Sequence, residues 1–215
     1  MELINSFDVA LPVAEAWDLL TDVERIVPCL PGALLREVEG NEYRGAVMLR
    51  VGPLTVEYTG TATIVEQHEV DHRIVVTGAG VDEGGSGAAG GNAEVSITAR
   101  LEPLSDTTTR VNVDSDLRLT GRVEAMGGGV ITEVNAAMMA QFAANLDALI
   151  SGHGDLPAVT VHHTGDERAR RRVEMPAPEA VDLLDAARTP VLKRLFVLVA
   201  VALAVTVVVR RRRRR

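Results

Sequence analysis

The 215-residue sequence predicts an α+β protein. Its domain is a curved antiparallel sheet of about six or seven strands wrapped around one long C-terminal helix, and a tail with a membrane-associating segment follows. Three observations predict this. Apolar residues alternate with polar ones over most of the stretch from Leu34 to Leu119, the period of strands with one wet and one covered face. A stripe with steps of three and four then follows between Val123 and Ile150, the period of an amphipathic helix. Near the end, an apolar run from Leu195 to Val209 precedes six consecutive arginines, Arg210 to Arg215.

Residues 2 to 9, ELINSFDV, alternate and read as a first strand. Pro12 suits the first turn of a helix whose apolar positions are Val13, Ala16, Trp17 and Leu20. Asp22 can cap a second short helix, DVERIV, which Pro28 and the turn Pro31-Gly32 stop. The alternating runs come next: Tyr43 to Val51, Leu54 to Ile64, Glu94 to Glu102 and Arg110 to Leu119. Between them, GAGVDEGGSGAAGG (78 to 91) reads as a flexible hairpin loop at the sheet rim. It has no GK[ST] and joins two antiparallel strands, so a phosphate loop is not expected. The helix that covers the sheet carries Val130, Ile131, Val134, Met138, Phe142, Leu146 and Leu149 on one stripe.

Charge divides the chain. The net charge is −8, yet Lys193, Arg194 and Arg210 to Arg215 supply eight of the 22 basic residues and follow all 30 acidic ones, so residues 1 to 189 carry −16. That body repels nucleic acid and anionic lipid; only the tail attracts them. The single cysteine, Cys29, excludes an internal disulfide and a thiolate metal cluster, and reads as a small, partly buried hydrophobe at a helix end. The N-terminus has an early acid, no basic region and no sustained apolar stretch, so no secretory signal is expected there.

Catalytic and metal chemistry find little support. His68 and His72 lie among acids in EQHEVDHR and read as a solvated hairpin turn; His153, His162 and His163 fall in a linker with no rigid support for a metal. Local spacing yields no nucleophile–base pair or paired carboxylates, so a non-enzyme is expected, with no metal. The alternative enzyme is a cyclase or hydrolase using Tyr58 or a pocket-lining polar group as acid or base.

The order of strand, two short helices, long meander and C-terminal helix resembles the helix-grip fold of the START and polyketide-cyclase (SRPBCC) superfamily. Within it, DVERIVPCLPGA (22 to 33), RVGPLTVEYTGTATI (50 to 64) and LTGRVEAMGGGVITEVNAAMMAQFAANL (119 to 146) are similar to the CoxG family of carbon monoxide dehydrogenase proteins. The resemblance covers residues 1 to 150. It implies a protein working beside a molybdenum-containing CO dehydrogenase, recruiting that enzyme to the membrane or holding an apolar ligand. A quinone, menaquinone or ubiquinone, or another apolar lipid is the implied ligand, with no tightly bound cofactor; a structural adaptor without ligand is the remaining alternative.

A sheet gripping a helix can leave a cavity between them. The residues expected to line it are Val47, Leu49, Val56, Tyr58, Val76, Val95, Ile97 and Val113 from the sheet, with Met126, Val130, Val134, Met138 and Phe142 from the helix. The competing expectation is that these side chains simply form the core.

Residues 151 to 189 are rich in Gly, Pro and charge and read as a flexible linker with a reach of roughly 35 Å. Residues 190 to 215 read as the membrane-associating tail. Leu195 to Val209 would span about 22 Å as a helix, short of a hydrocarbon core of about 30 Å, with basic groups on both flanks. A thinned span or a re-entrant insertion both place the domain at the cytoplasmic face of the inner (plasma) membrane.

Overall fold

Strand β1 (Glu2–Val9) turns Leu3, Asn5, Phe7 and Val9 to one side and Glu2, Ile4, Ser6 and Asp8 to the other, so it can join a sheet with one covered face. In the computed structural model it does so from the far end of the chain, pairing antiparallel with β7 (Thr108–Leu119) in the register Phe7 opposite Val111. The structure describes residues 1–51, 54–82, 90–152, 160–162, 171–175 and 181–182.

After β1 come α1 (Val13–Thr21), α2 (Val23–Ile26) and a 3-10 turn, Val27–Cys29. Asp22 caps α2 as expected: its Oδ1 accepts from the Arg25 amide at 3.3 Å. Strands β2 (Ala33–Glu39), β3 (Glu42–Val51), β4 (Leu54–His68), β5 (Arg73–Asp82) and β6 (Gly91–Ser105) then form a meander into β7. The order across the sheet is β1-β7-β6-β5-β4-β3-β2, seven antiparallel strands from the first 119 residues. Bulges between Ile64 and Glu66 in β4 and between Pro103 and Ser105 in β6 bend it.

Two sequence expectations are corrected. Residues 78 to 82 are strand, since β5 continues to Asp82 and Gly78 and Gly80 sit opposite Val95 and Ala93. Glycine tolerates strand as well as loop, and here neighbouring strands fix it. The long helix α3 runs over Gly128–Ile150, later than Val123, because a 3-10 turn (Glu124–Met126) precedes it and Gly127 at φ 85° breaks the geometry.

One end of the grip is closed. Trp17, Val9, Leu101, Val111, Phe142 and Leu146 are buried together there, and the Phe7 and Phe142 rings meet edge to face at 5.7 Å. Two side chains fasten this end to backbone carbonyls. Asn145 Nδ2 donates to Cys29 O at 2.9 Å, while Thr109 Oγ1, fully buried, donates to Leu11 O at 2.8 Å. The first of these explains why the residues around Cys29 and the end of α3 belong together.

Within 151 to 189, read above as a linker, three short strands are described: β8 (Thr160–His162), β9 (Arg171–Glu174) and β10 (Val181–Asp182). Strand β9 extends the sheet beside β2, β8 pairs with β9, and β10 lies parallel to β3 at Leu49 and Arg50. Val173 is buried against Val27, Leu35 and Val38, and Arg171 Nη2 lies 2.7 Å from Glu24 Oε1. The edge of β2 is thereby paired rather than left open, although RRVE is too short and too charged to announce a strand. Residues 190 to 215, with the expected membrane segment, lie outside the described residues. Among the described residues, no helix is long and apolar enough to cross a membrane.

Candidate functional site: the inner face of the grip

Antiparallel register sorts the inner face into rows that cross the sheet. At the closed end Ile64, Val76, Ile97 and Ser115 are successive partners. The next row is Tyr43, Ala62, Gly78, Val95 and Leu117, and the one after it Gly45, Gly60, Gly80, Ala93 and Leu119. Small residues thus occupy the middle strands of two adjacent rows. These positions project little or no side chain from the sheet, and Ile131 of the helix packs into the neighbouring cluster of Val56, Tyr58, Val123, Ala93 and Leu119.

Gly60 shows why a glycine is required at one of these points: a Cβ there would meet Ala79 O at 2.0 Å. Above this floor the cover is incomplete. Val47, Val95, Leu117, Val130, Ile131 and Met138 all remain partly exposed, whereas Phe142 and Leu146, further along α3, are buried.

Beyond the floor lies a row of different chemistry: Val47, Tyr58 and Asp82 are successive partners on β3, β4 and β5. Asp82 is 6% exposed, and its Oδ2 accepts from Arg122 Nη2 at 2.7 Å. Arg122 is delivered by a tight turn. Gly121 takes φ 81°, a Cβ on it would meet Gly90 O at 2.5 Å, and Asn92 and Thr120 exchange hydrogen bonds at 2.8 and 2.9 Å.

Tyr58 is 9% exposed, and its hydroxyl is buried without a hydrogen-bond partner among the described residues, as is Arg122 Nε. Burial first, and then the Asp82 charge, hold the Tyr58 phenol above its ordinary value, with Arg122 opposing them. The phenol is therefore a proton donor in hydrogen bonds rather than a base. On β1, Asn5 also buries its Nδ2 without a partner.

All eight sheet residues named from the sequence face inward. Leu49, Met126, Val130, Val134 and Met138 come together, and Val56 and Tyr58 pack with Val123 and Leu49. Val76, Ile97, Val113 and Phe142 instead belong to the packed core of the closed end. Met126 lies in the 3-10 turn before α3. The sequence reading missed Asp82 and Arg122, the first because it sat in a glycine-rich run, the second because it is a lone cation just after the turn glycine Gly121.

His72 packs its ring against Trp17 at 5.7 Å, and the Glu66–Arg73 pair lies nearby at the ends of β4 and β5. Among the described residues, no group of three His, Cys, Asp or Glu is placed to hold a metal ion. Burial raises the Cys29 thiol above its ordinary value, which keeps it in the unreactive form.

The model of the carbon monoxide dehydrogenase CoxG family matches residues 6–151. The chain belongs to that family. In CoxG terms, the matched segment is the grip itself, from β1 to the end of α3. A conserved protein from Geobacillus kaustophilus superposes with a TM-score of 0.62 at 18% identity, over 71% of this chain and 96% of that one. That likeness shows the helix-grip fold. Two further solved structures are the ZhuI aromatase/cyclase from Streptomyces sp. R1128 and the di-domain aromatase/cyclase BexL. ZhuI has a TM-score of 0.45 and 13% identity, over 71% of this chain and 93% of that one. BexL has a TM-score of 0.48 and 18% identity, over 75% of this chain and 50% of that one. No curated protein sequence matches the chain significantly.

Proposed function

We propose that this CoxG-family chain is a non-catalytic binding protein of the CO dehydrogenase system. The inner face of the grip holds an apolar, quinone-like molecule, menaquinone or ubiquinone being the type, and the tail of residues 190 to 215 tethers the domain to the cytoplasmic face of the inner membrane. The molybdenum-containing dehydrogenase is its partner, recruited to the membrane or served with the bound molecule there. The observation that carries this reading is the floor of Gly60, Gly80, Ala62, Gly78 and Ala93 beneath apolar side chains that stay partly exposed. Apolar surface left uncovered inside a fold is stabilised by an apolar ligand, at about 25 cal/mol per Å².

The raised Tyr58 phenol speaks against its use as a general base, one of the roles an enzyme of this fold would give it. The full chain extracted in detergent from its host should carry a co-purifying apolar molecule detectable by solvent extraction and mass spectrometry. Val134→Phe, which places a ring among Leu49, Met126 and Met138, should expel that molecule and end electron delivery while membrane recruitment of the dehydrogenase persists. Delivery that survives this substitution would instead favour an adaptor without ligand.

A further inference from the structure

We propose that Tyr58 and Arg122, with Asp82 as counter-ion, form a polar subsite that takes an uncharged oxygen acceptor of the ligand, a carbonyl above all. This rests on the cavity reading above and specifies which end of the apolar molecule lies where.

The geometry carries it. Tyr58 and Asp82 face each other across β4 and β5, and Arg122 closes on Asp82 Oδ2 at 2.7 Å. Two groups in this cluster remain without a hydrogen-bond partner among the described residues: the Tyr58 hydroxyl and the Arg122 Nε. Both can donate, and Nε can only donate. A buried donor left unpaired is costly, so two in one cluster mark a place for an acceptor.

A carbonyl oxygen has two lone pairs and can accept two hydrogen bonds, enough for both donors. The apolar body of the same molecule would then run over the small-residue floor, whose Gly80 is the next inward position on β5 after Asp82.

Charge decides between acceptors. Among the described residues Arg122 is already paired with Asp82, so these two side chains together have no net charge to offer a carboxylate or a phosphate. An anion brought into this buried place would stand uncompensated beside the Asp82 carboxylate. The subsite therefore selects ketones, quinones, esters or amides over fatty acids and phospholipid headgroups. Burial holds the Tyr58 phenol above its ordinary value, so the donor keeps its proton at neutral pH.

The test uses the full chain in detergent and three probes: 2-methyl-1,4-naphthoquinone, 2-methylnaphthalene and 2-naphthoate, each measured by equilibrium dialysis against an identical protein-free micelle solution. The wild-type chain should bind the quinone about tenfold more tightly than the hydrocarbon, the worth of one good hydrogen bond, and the naphthoate more weakly than the quinone. Tyr58→Phe should remove most of the quinone's advantage and leave the hydrocarbon's affinity unchanged. It should also raise the melting temperature of the ligand-free chain by about 2–4 °C, because an unpaired hydroxyl leaves the interior.

Arg122→Lys, which keeps a cation beside Asp82 and removes Nε, should weaken quinone binding in the same selective way. Unchanged quinone affinity in Tyr58→Phe, or equal losses for quinone and hydrocarbon, would overturn the subsite and leave the cavity standing. A wild-type chain that prefers naphthoate overturns it as well. A wild-type chain that binds no probe at all would instead remove the cavity reading, and the subsite with it.

Discussion

Leu146 and Met138 lie two turns apart on the same helix, and truncating them should have very different consequences. Leu146 is 1% exposed and is surrounded by the core of the closed end. Replacing it with alanine removes three carbons, worth about 2.4 kcal/mol at roughly 0.8 kcal/mol each. The void left behind adds about 1–1.5 kcal/mol, taking roughly 60 Å³ at about 24 cal/mol per Å³. Leu146→Ala should therefore cost about 3–4 kcal/mol.

Met138 packs beside Val134, Leu49 and Met126 but stays partly exposed, so Met138→Ala leaves no sealed void and should cost under about 1.5 kcal/mol. Urea unfolding of the two variants, followed by circular dichroism, reads the difference as a shift in midpoint at constant slope. Ligand affinity should fall for Met138→Ala and hold for Leu146→Ala. Equal destabilisation by the two truncations would refute the division into a packed and an open end.

Other positions give independent checks. Gly60→Ala should destabilise by about 2 kcal/mol or more, because its Cβ must displace Ala79 O, while Gly80→Ala, whose Cβ would sit 3.4 Å from Tyr58 Cβ, should be tolerated and read out mainly as weaker ligand binding. Both Tyr43 and Tyr58 phenols are raised by burial, so neither should ionise at its ordinary value of 10.0 in an absorbance titration of the folded chain. The unfolded chain ionises first, and stability should fall as pH rises above 10.0 through the folded values. Val173→Asp should detach β9 from β2, seen as faster proteolysis after residue 170 with the grip intact; unchanged cleavage would mean that β9 is not held by Val173.

Much of this architecture was legible in the sequence because period two is a direct consequence of one covered sheet face. Val47, Leu49, Val56, Tyr58, Val95 and Ile97 all point where alternation placed them. What alternation cannot give is how closely the cover approaches. Phe142 and Val130 share a stripe, yet one is buried in the closed core and the other stays partly exposed. That difference comes from Asn145 and Phe7 pulling the last turns of α3 onto the 3-10 turn and β1, contacts more than a hundred residues apart in the chain.

The polar cluster was hidden for another reason. Asp82 continues the inward series Val76, Gly78, Gly80, but glycines carry no hydrophobic signal, so the strand looked like a loop and its acid looked solvated. The same series, read as an alternation with missing side chains, would have pointed Asp82 inward. Asn5 was readable in the same way, as the polar interruption of Leu3, Phe7 and Val9. The docking of β9 depends on a single apolar residue, Val173, among charges, and no periodicity can show that.

The most direct test of a ligand-holding grip is an experimental structure of the full chain purified in detergent from its native host. The account predicts an elongated apolar molecule between α3 and the floor of Gly60, Gly80 and Ala93, with an oxygen within hydrogen-bonding distance of the Tyr58 hydroxyl. A helix seated directly on that floor, with Val130, Ile131 and Met138 filling the space themselves and no bound molecule, would contradict it.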